Sequence, residues 1–290
     1  MRWENRQRSQ NVDDRRGRAS AGGGRSLKLG GVGAILFALV ALALGADPAQ
    51  VLQMLGGGGG EVTSSEASGP PAPRPAEEDR LADFVSVVLA DTETTWQDLL
   101  ADRGGYVEPT LVLFTDSVSS ACGHQSAAVG PFYCPGDQQV YLDLGFFAEL
   151  DTRFGAPGDF AQAYVVAHEV GHHVQHILGT TRDVRRQQES LNPTAANDLS
   201  VRLELQADCY AGVWAHFADR SRSMLEPGDL EEGLRAAASV GDDTLQRNAG
   251  RRVQPDSFTH GTSDQRVRWF RLGYQTGDMD QCDTFSSRRL

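Results

Sequence analysis

Residues Ala167 to Val174 read AHEVGHHV, and within them His168, Glu169 and His172 form the pattern His-Glu-x-x-His. A helix turns once in about 3.6 residues, so side chains four apart leave from the same face. His168 and His172 can therefore offer two imidazole nitrogens to one tetrahedral metal. Glu169 stands beside them, able to reach a metal-activated water but turned away from a direct bond. Two neutral nitrogens and a nearby carboxylate are what zinc-assisted hydrolysis requires, and the spacing predicts a zinc peptidase. The bland alternative is a helix whose histidines are satisfied at the surface. His173 falls one residue off the metal face, and His176 reads as a surface group or one that supports a ligand.

The elements around the motif must hold two imidazoles rigidly. The run Phe160 to Val166 is apolar and free of proline, Pro157-Gly158-Asp159 supplies a helix start, and Gly179 supplies a stop. The motif thus lies in mid-helix. A catalytic zinc takes a third protein ligand and leaves one position for water. The stretch RLELQAD, Arg202 to Asp208, offers that ligand on a second helix predicted to start near Asn197-Asp198. Glu204 and Asp208 are again four apart, beside an apolar face of Leu199, Leu203, Ala207, Ala211 and Trp214. An acidic pair facing a core needs partners, because burying unpaired charge is costly. A metal would satisfy Glu204, and a ligand imidazole N–H would satisfy Asp208. An exposed surface on which Arg202, Glu204 and Asp208 pair at helical spacing accounts for the same pattern.

HEVGHHVQ, followed roughly thirty residues on by RLELQADCYAGVWA, resembles the bacterial family of predicted neutral zinc metallopeptidases. The start MRWENRQRS, the segment ACGHQSAAVGPFYCPGDQQVYLDLGFF and the late THGTSDQRVRWFRLG match it too, so the similarity spans nearly the whole chain. The Glu-x-x-x-Asp element also looks like that of membrane heat-shock zinc proteases and CAAX prenyl proteases. The resemblance implies Zn2+ on His168, His172 and Glu204, with Asp208 supporting the ligands, and a peptide or protein substrate. Glu169 is then the general base. His260, in Thr259-His260-Gly261-Thr262, is the candidate donor to the oxyanion, since a His or Tyr outside the ligand set often fills that role in zinc hydrolases. Its structural alternative is a loop histidine ahead of the helix that starts at Thr262. Tyr164 reads as core, and Arg266 as a partner for a buried carboxylate such as Asp208. An endopeptidase is favoured over an exopeptidase. The rival readings are a non-catalytic, membrane-tethered zinc-binding or scaffold protein, and an amidase or deacylase acting on cell-wall material. A structural zinc would be closed by four protein ligands and would not need Glu169.

Charge is divided unevenly along the chain. The first 28 residues hold eight basic groups against three acidic ones, a net of +5, while the remainder carries 19 basic and 36 acidic residues, a net of −17. Leu29 to Ala46 is an uncharged run of 18 residues. Its length predicts a transmembrane signal anchor over 29–46, with residues 1–28 cytoplasmic and the rest outside the bacterial cytoplasmic membrane. A cleaved signal peptide is the competing reading. Residues 47–75, with five consecutive glycines and a proline-rich end, read as a flexible linker, leaving 76–290 as the catalytic domain. The acidic exported part argues against nucleic acid as a partner. Four cysteines in an oxidising compartment point to two disulfides. Of the three connectivities, Cys122 with Cys134 and Cys209 with Cys282 is the expected one.

Apolar spacing predicts a helix over Glu77 to Leu100 and strands at Thr110 to Thr115 and Gln139 to Leu144. Further helices are predicted over Phe146 to Phe154 and near Asn197 to Asp219, Gly228 to Val240 and Thr262 to Thr276. The sum is an α+β fold, a helix-rich, zincin-like domain with a small sheet, preceded by one transmembrane helix. By analogy with other zinc peptidases, the strand around Val140-Tyr141-Leu142 is expected to form the sheet edge that receives an extended substrate.

Overall fold

In the computed structural model, residues 1–17 and 75–290 are described. Helix α1 (Ala76–Leu100) follows Pro75, whose fixed φ suits a helix start, and carries Glu77, Glu78 and Asp79 in its first turn, where the helix dipole favours them. It lies against a four-stranded sheet in the order β1 (Val12–Asp14), β2 (Thr110–Phe114), β6 (Gln139–Asp143), β5 (Phe132–Cys134). The first three strands run parallel and β5 antiparallel. Side chains alternate across a strand, and here both faces are covered. Leu111, Leu113, Val140 and Leu142 join the helices in the main core, while Val112, Phe114 and Tyr141 pack under the hairpin of β3 (Ser117–Ser120) and β4 (Gly123–Ser126). Cys122–Cys134 ties that hairpin to β5.

After the short α2 (Gly145–Thr152) come α3 (Asp159–Ile177), which bears the histidine motif, and α4 (Thr180–Gln188). The next helix, α5 (Pro193–Arg220), starts a turn earlier than the sequence reading placed it, because Asn192 caps it by accepting from the Ala195 N–H and Pro193 stands at its first position. Next in the chain are α6 (Asp229–Ser239), α7 (Asp242–Asn248) and α8 (Ser263–Thr276), the last opened by a reciprocal Thr262–Gln265 capping box. Helices α5 and α8 cross almost backbone to backbone. A Cβ at Gly212 would lie 2.0 Å from the Phe270 carbonyl oxygen, and one at Gly273 2.0 Å from that of Cys209. Cys209–Cys282 then fastens the C-terminal segment to α5, so both disulfides are the expected pairs.

The first seventeen residues correct the membrane topology. Strand β1 pairs with β2 in the register Val12↔Leu111, Asp13↔Val112, Asp14↔Leu113. Trp3 is buried edge-on to Phe84 of α1, with ring centroids 5.4 Å apart. Arg16 bonds the Glu78 carbonyl at 2.8 Å, and the Met1 ammonium lies 2.9 Å from both carboxylate oxygens of Asp159, the first residue of the motif helix. A single crossing over 29–46 would hold residues 1–17 and 76–290 on opposite sides of a bilayer, yet they share one sheet and one core. That arrangement overturns the single-pass protein with a cytoplasmic N-terminus and an exported domain. No helix among the described residues is long and apolar enough to cross a membrane. The predicted anchor (29–46), and the predicted linker (47–75) up to its last residue, lie outside the described residues. The helix-rich α+β architecture with its small sheet stands without the preceding transmembrane helix.

Truncating Trp3 to Ala is expected to cost about 3 kcal/mol, the usual loss for a buried large aromatic. Urea unfolding would show it as a lower midpoint, and limited proteolysis as early cleavage near the start of the chain. An unchanged midpoint would mean that the segment adds nothing to the core.

Candidate metal centre

Helix α3 crosses α5 where both are slim. A Cβ on Gly171 would lie 3.0 Å from the Ala207 carbonyl oxygen, so the residue between Val170 and His172 has almost no room to grow. The close crossing brings Glu204 up to both imidazoles. His168 Nε2 lies 3.2 Å from Glu204 Oε2, and His172 Nε2 lies 3.4 Å from Glu204 Oε1. One ligand atom from each of the three falls within 4.8 Å of the others.

Would a metal fit? Each Nδ1 is already engaged, His168 donating to Asp208 Oδ1 at 2.9 Å and His172 to Gln175 Oε1 at 2.9 Å. With the ring protons there, two bare Nε2 lone pairs and a carboxylate face one another with no donor between them. A cation is what this set lacks. The electrostatics of the two rings point to the same deficit. Burial opposes protonation of His168, but Asp208 and Glu204 outweigh it and push the imidazole up to about 10. Burial likewise opposes protonation of His172, and Glu204 still raises it. Two imidazole nitrogens and a carboxylate oxygen are a donor set that suits Zn2+.

Each histidine has its own buried support. Asp208 is fully buried one turn beyond Glu204 and accepts from His168 Nδ1, from the Tyr164 hydroxyl, and from Arg266 Nε and Nη2, both at 2.8 Å. Burial alone would lift the Asp208 carboxyl, but Arg266 and His168 hold it below its ordinary value. Arg266, itself 3 % exposed, comes from the first turn of α8 and makes the ion pair that its sequence context had offered to a buried carboxylate.

The support of His172 was not anticipated. Gln175 accepts from His172 Nδ1 and donates through Nε2 to the Leu203 carbonyl at 2.7 Å and to Gln206 Oε1 at 3.1 Å. Gln206 in turn donates to the Cys282 carbonyl at 3.0 Å, so the relay ends at a disulfide. Its one sequence signal is the three-residue spacing from His172 to Gln175, which a helix supplies everywhere. Gln175→Leu keeps the bulk and removes the acceptor. Zinc affinity should fall by about 10- to 100-fold, the usual effect of losing a group that orients a ligand. Competition against a chromophoric chelator measures this, and unchanged affinity would reduce the relay to packing.

A cavity of ≈ 820 Å³ opens onto the three candidate ligands, and Glu169 and His260 also line it. Glu169 is 9 % exposed, and its carboxylate accepts no hydrogen bond from the described residues. A buried acid without a hydrogen-bond donor is costly, and its oxygens are left to the cavity that Glu169 lines. His260 sits half-exposed on the loop before α8, within the electrostatic reach of Glu204. His173 belongs elsewhere: its Nε2–H donates to the Val107 carbonyl at 2.6 Å, and its Nδ1 accepts from the Tyr133 hydroxyl at 3.0 Å. Burial pushes it down to about 4, so it is a neutral core histidine that pins β5 to the motif helix. His176 rests near the Tyr133 ring. The sheet edge is also corrected. Strand β6, with Val140, Tyr141 and Leu142, is interior, its backbone paired on both sides, and the edge beside the cavity is β5, whose Phe132 and Tyr133 line the wall.

Two crossing helices that bring His-Glu-x-x-His to a carboxylate, over a small sheet with an edge strand on the cleft, define a metallopeptidase architecture. The chain belongs to the zinc peptidase family described as "putative neutral zinc metallopeptidase", which matches residues 1–285. It is 45 % identical over 289 residues to the uncharacterized protein YpfJ of Escherichia coli K12, a span of 98 % of this chain and 99 % of that protein. It is also 46 % identical over 208 residues to the uncharacterized protein Rv2575 of Mycobacterium tuberculosis H37Rv, 68 % of each chain. No solved structure is significantly similar to it. Family membership makes Zn2+ the cofactor and peptides or proteins the substrates.

Proposed function

We propose that this chain is an endopeptidase in which His168, His172 and Glu204 hold Zn2+ and Glu169 is the general base. The observation that carries the reading is a buried carboxylate with no hydrogen-bond partner among the described residues, beside a three-donor set. The metal, when bound, supplies Lewis acidity that lowers the pKa of water toward about 7 and polarises the scissile carbonyl. Glu169 takes the proton of the attacking water and delivers it to the leaving nitrogen. His260 donates to the carbonyl oxygen as negative charge builds there. Asp208 and Gln175 hold the two imidazoles so that each Nε2 stays aimed at Glu204.

Strand β5 offers its free edge to an extended segment of substrate, with Tyr133 and His173 keeping that edge in register with the motif helix. Such an edge grips backbone on either side of the cut and needs no chain terminus, which supports internal cleavage. A non-catalytic zinc-binding protein would close the metal with a fourth side chain and would have no use for Glu169. The metal cluster here, among the described residues, counts three.

The test is incubation of the zinc-loaded full chain with a diverse peptide mixture, with and without chelator. Internal cuts that vanish with chelator and return with added Zn2+ are expected. Trimming from the ends alone would overturn endopeptidase action. Intact peptides in the presence of one bound zinc would favour the binding-protein reading.

A further inference from the structure

His260 stands on a loop, and a half-exposed loop histidine left to itself samples several rotamers. An oxyanion donor must instead lie within about 2.7–3.1 Å of the developing charge. Something has to hold the ring. Asp242, the first residue of α7, does so through both carboxylate oxygens. Its Oδ2 accepts the backbone N–H groups of Thr259 at 2.8 Å, His260 at 2.6 Å and Gly261 at 3.0 Å. Its Oδ1 lies 3.3 Å from His260 Nδ1. Its own N–H donates back to the Gly261 carbonyl at 2.8 Å.

Three consecutive N–H groups converging on one oxygen wrap the loop into a nest around the carboxylate. Gly261 makes the wrap possible, with φ at +87°. Gly241 makes the approach possible, since a Cβ there would sit 2.4 Å from the Ser263 N. The adjacent Asp243 accepts from that same Ser263 N–H at 2.8 Å, so the start of α7 is fastened both to the loop and to the helix that carries Arg266. With Nδ1 facing Asp242 and the Thr259 hydroxyl, Nε2 has no hydrogen-bond partner among the described residues and is left for the cavity that His260 lines. The mutual effect agrees with this pairing: contact with Asp242 raises His260, and His260 outweighs burial to lower Asp242.

We infer that Asp242 is the positioning residue for His260: one carboxylate oxygen shapes the loop, and the other holds the Nδ1–H of the imidazolium so that its Nε2–H donates to the oxyanion of the substrate. This rests on the peptidase reading above, and Asp242 itself touches no substrate.

Asp242→Asn separates the two oxygens. The amide oxygen can still accept the three loop N–H groups, but the NH2 that replaces Oδ1 can only donate and cannot hold the Nδ1–H. In the zinc-loaded full chain, kcat should fall by about 10- to 100-fold with KM within about threefold, against about 100-fold for His260→Ala. The double variant should match His260→Ala alone, because Asp242 acts only through that ring. Unchanged kcat in Asp242→Asn, or losses that multiply in the double variant, would overturn the inference. NMR provides a readout independent of turnover. The His260 Nδ1–H should be protected from exchange in the wild type and exposed in Asp242→Asn, while the Thr259, His260 and Gly261 amides stay protected. A ring proton equally exposed in both proteins sinks the inference directly. If the wild type cleaves no peptide while the ring proton behaves as expected, the peptidase reading fails and the ring-holding role survives it.

Discussion

Glu169→Gln is expected to lower kcat by about 10³-fold while leaving one zinc bound per chain, within the range by which a positioned general base accelerates hydrolysis. Gln has nearly the size and shape of Glu but cannot accept a proton at neutral pH, so the change removes basicity and little else. Among the described residues no candidate ligand is hydrogen-bonded to Glu169, whose carboxylate acts on His172 only through its charge. Stability should therefore hold or rise slightly, since a buried carboxylate that accepts no hydrogen bond from the described residues is an unfavourable feature of the folded state. Steady-state kinetics, elemental analysis and urea unfolding on the same preparation separate the three quantities. Activity within a few fold of wild type would dismiss Glu169 as the base. Loss of metal would place Glu169 among the ligands and reopen the role of Glu204.

The candidate metal motif was legible in the sequence because its spacing is the helix period itself: residues four apart on one helix are neighbours wherever that helix lies. The same logic made Glu204 and Asp208 visible as a pair but could not say that their helix crosses the first one at Gly171 and Ala207. Long amphipathic helices were found for the same reason. What escaped was short or polar. Strand β1 is three residues, Val-Asp-Asp, whose pairing partner lies about a hundred residues away, and no local pattern announces it. The surrounding arginines looked like a membrane-facing charge surplus, whereas Arg6 bonds the Arg222 carbonyl, Arg8 pairs with Asp83, and Arg16 pairs with Asp14. Helix α4 buries only Val184, so it has no apolar stripe to read. The interior place of β6 does carry a sequence signal. VYL in β6 is apolar at consecutive positions, as a strand covered on both faces must be, and an interior place follows from that more readily than an edge.

The second large effect concerns Asp208, which lies outside the candidate ligand set. Asp208→Ala removes in one step the acceptor of His168, the acceptor of Tyr164 and the counter-charge of Arg266. The guanidinium is then left in the core without its partner, and breaking a buried pair from one side costs about 3–5 kcal/mol. Freed from its acceptor, the His168 ring also loses its fixed tautomer, and zinc affinity should drop by about 10- to 100-fold. The two losses have different causes, and a second substitution separates them. Adding Arg266→Met removes the orphaned charge and refills the volume with an unbranched apolar chain, so much of the unfolding free energy should return. Zinc affinity should not return with it, because His168 still lacks its acceptor. Urea unfolding of the metal-free variants and chelator competition measure the two quantities independently. Recovery of both in the double variant would show that Asp208 serves only to neutralise Arg266, and that the orientation of His168 is set by something other than the Asp208 carboxylate.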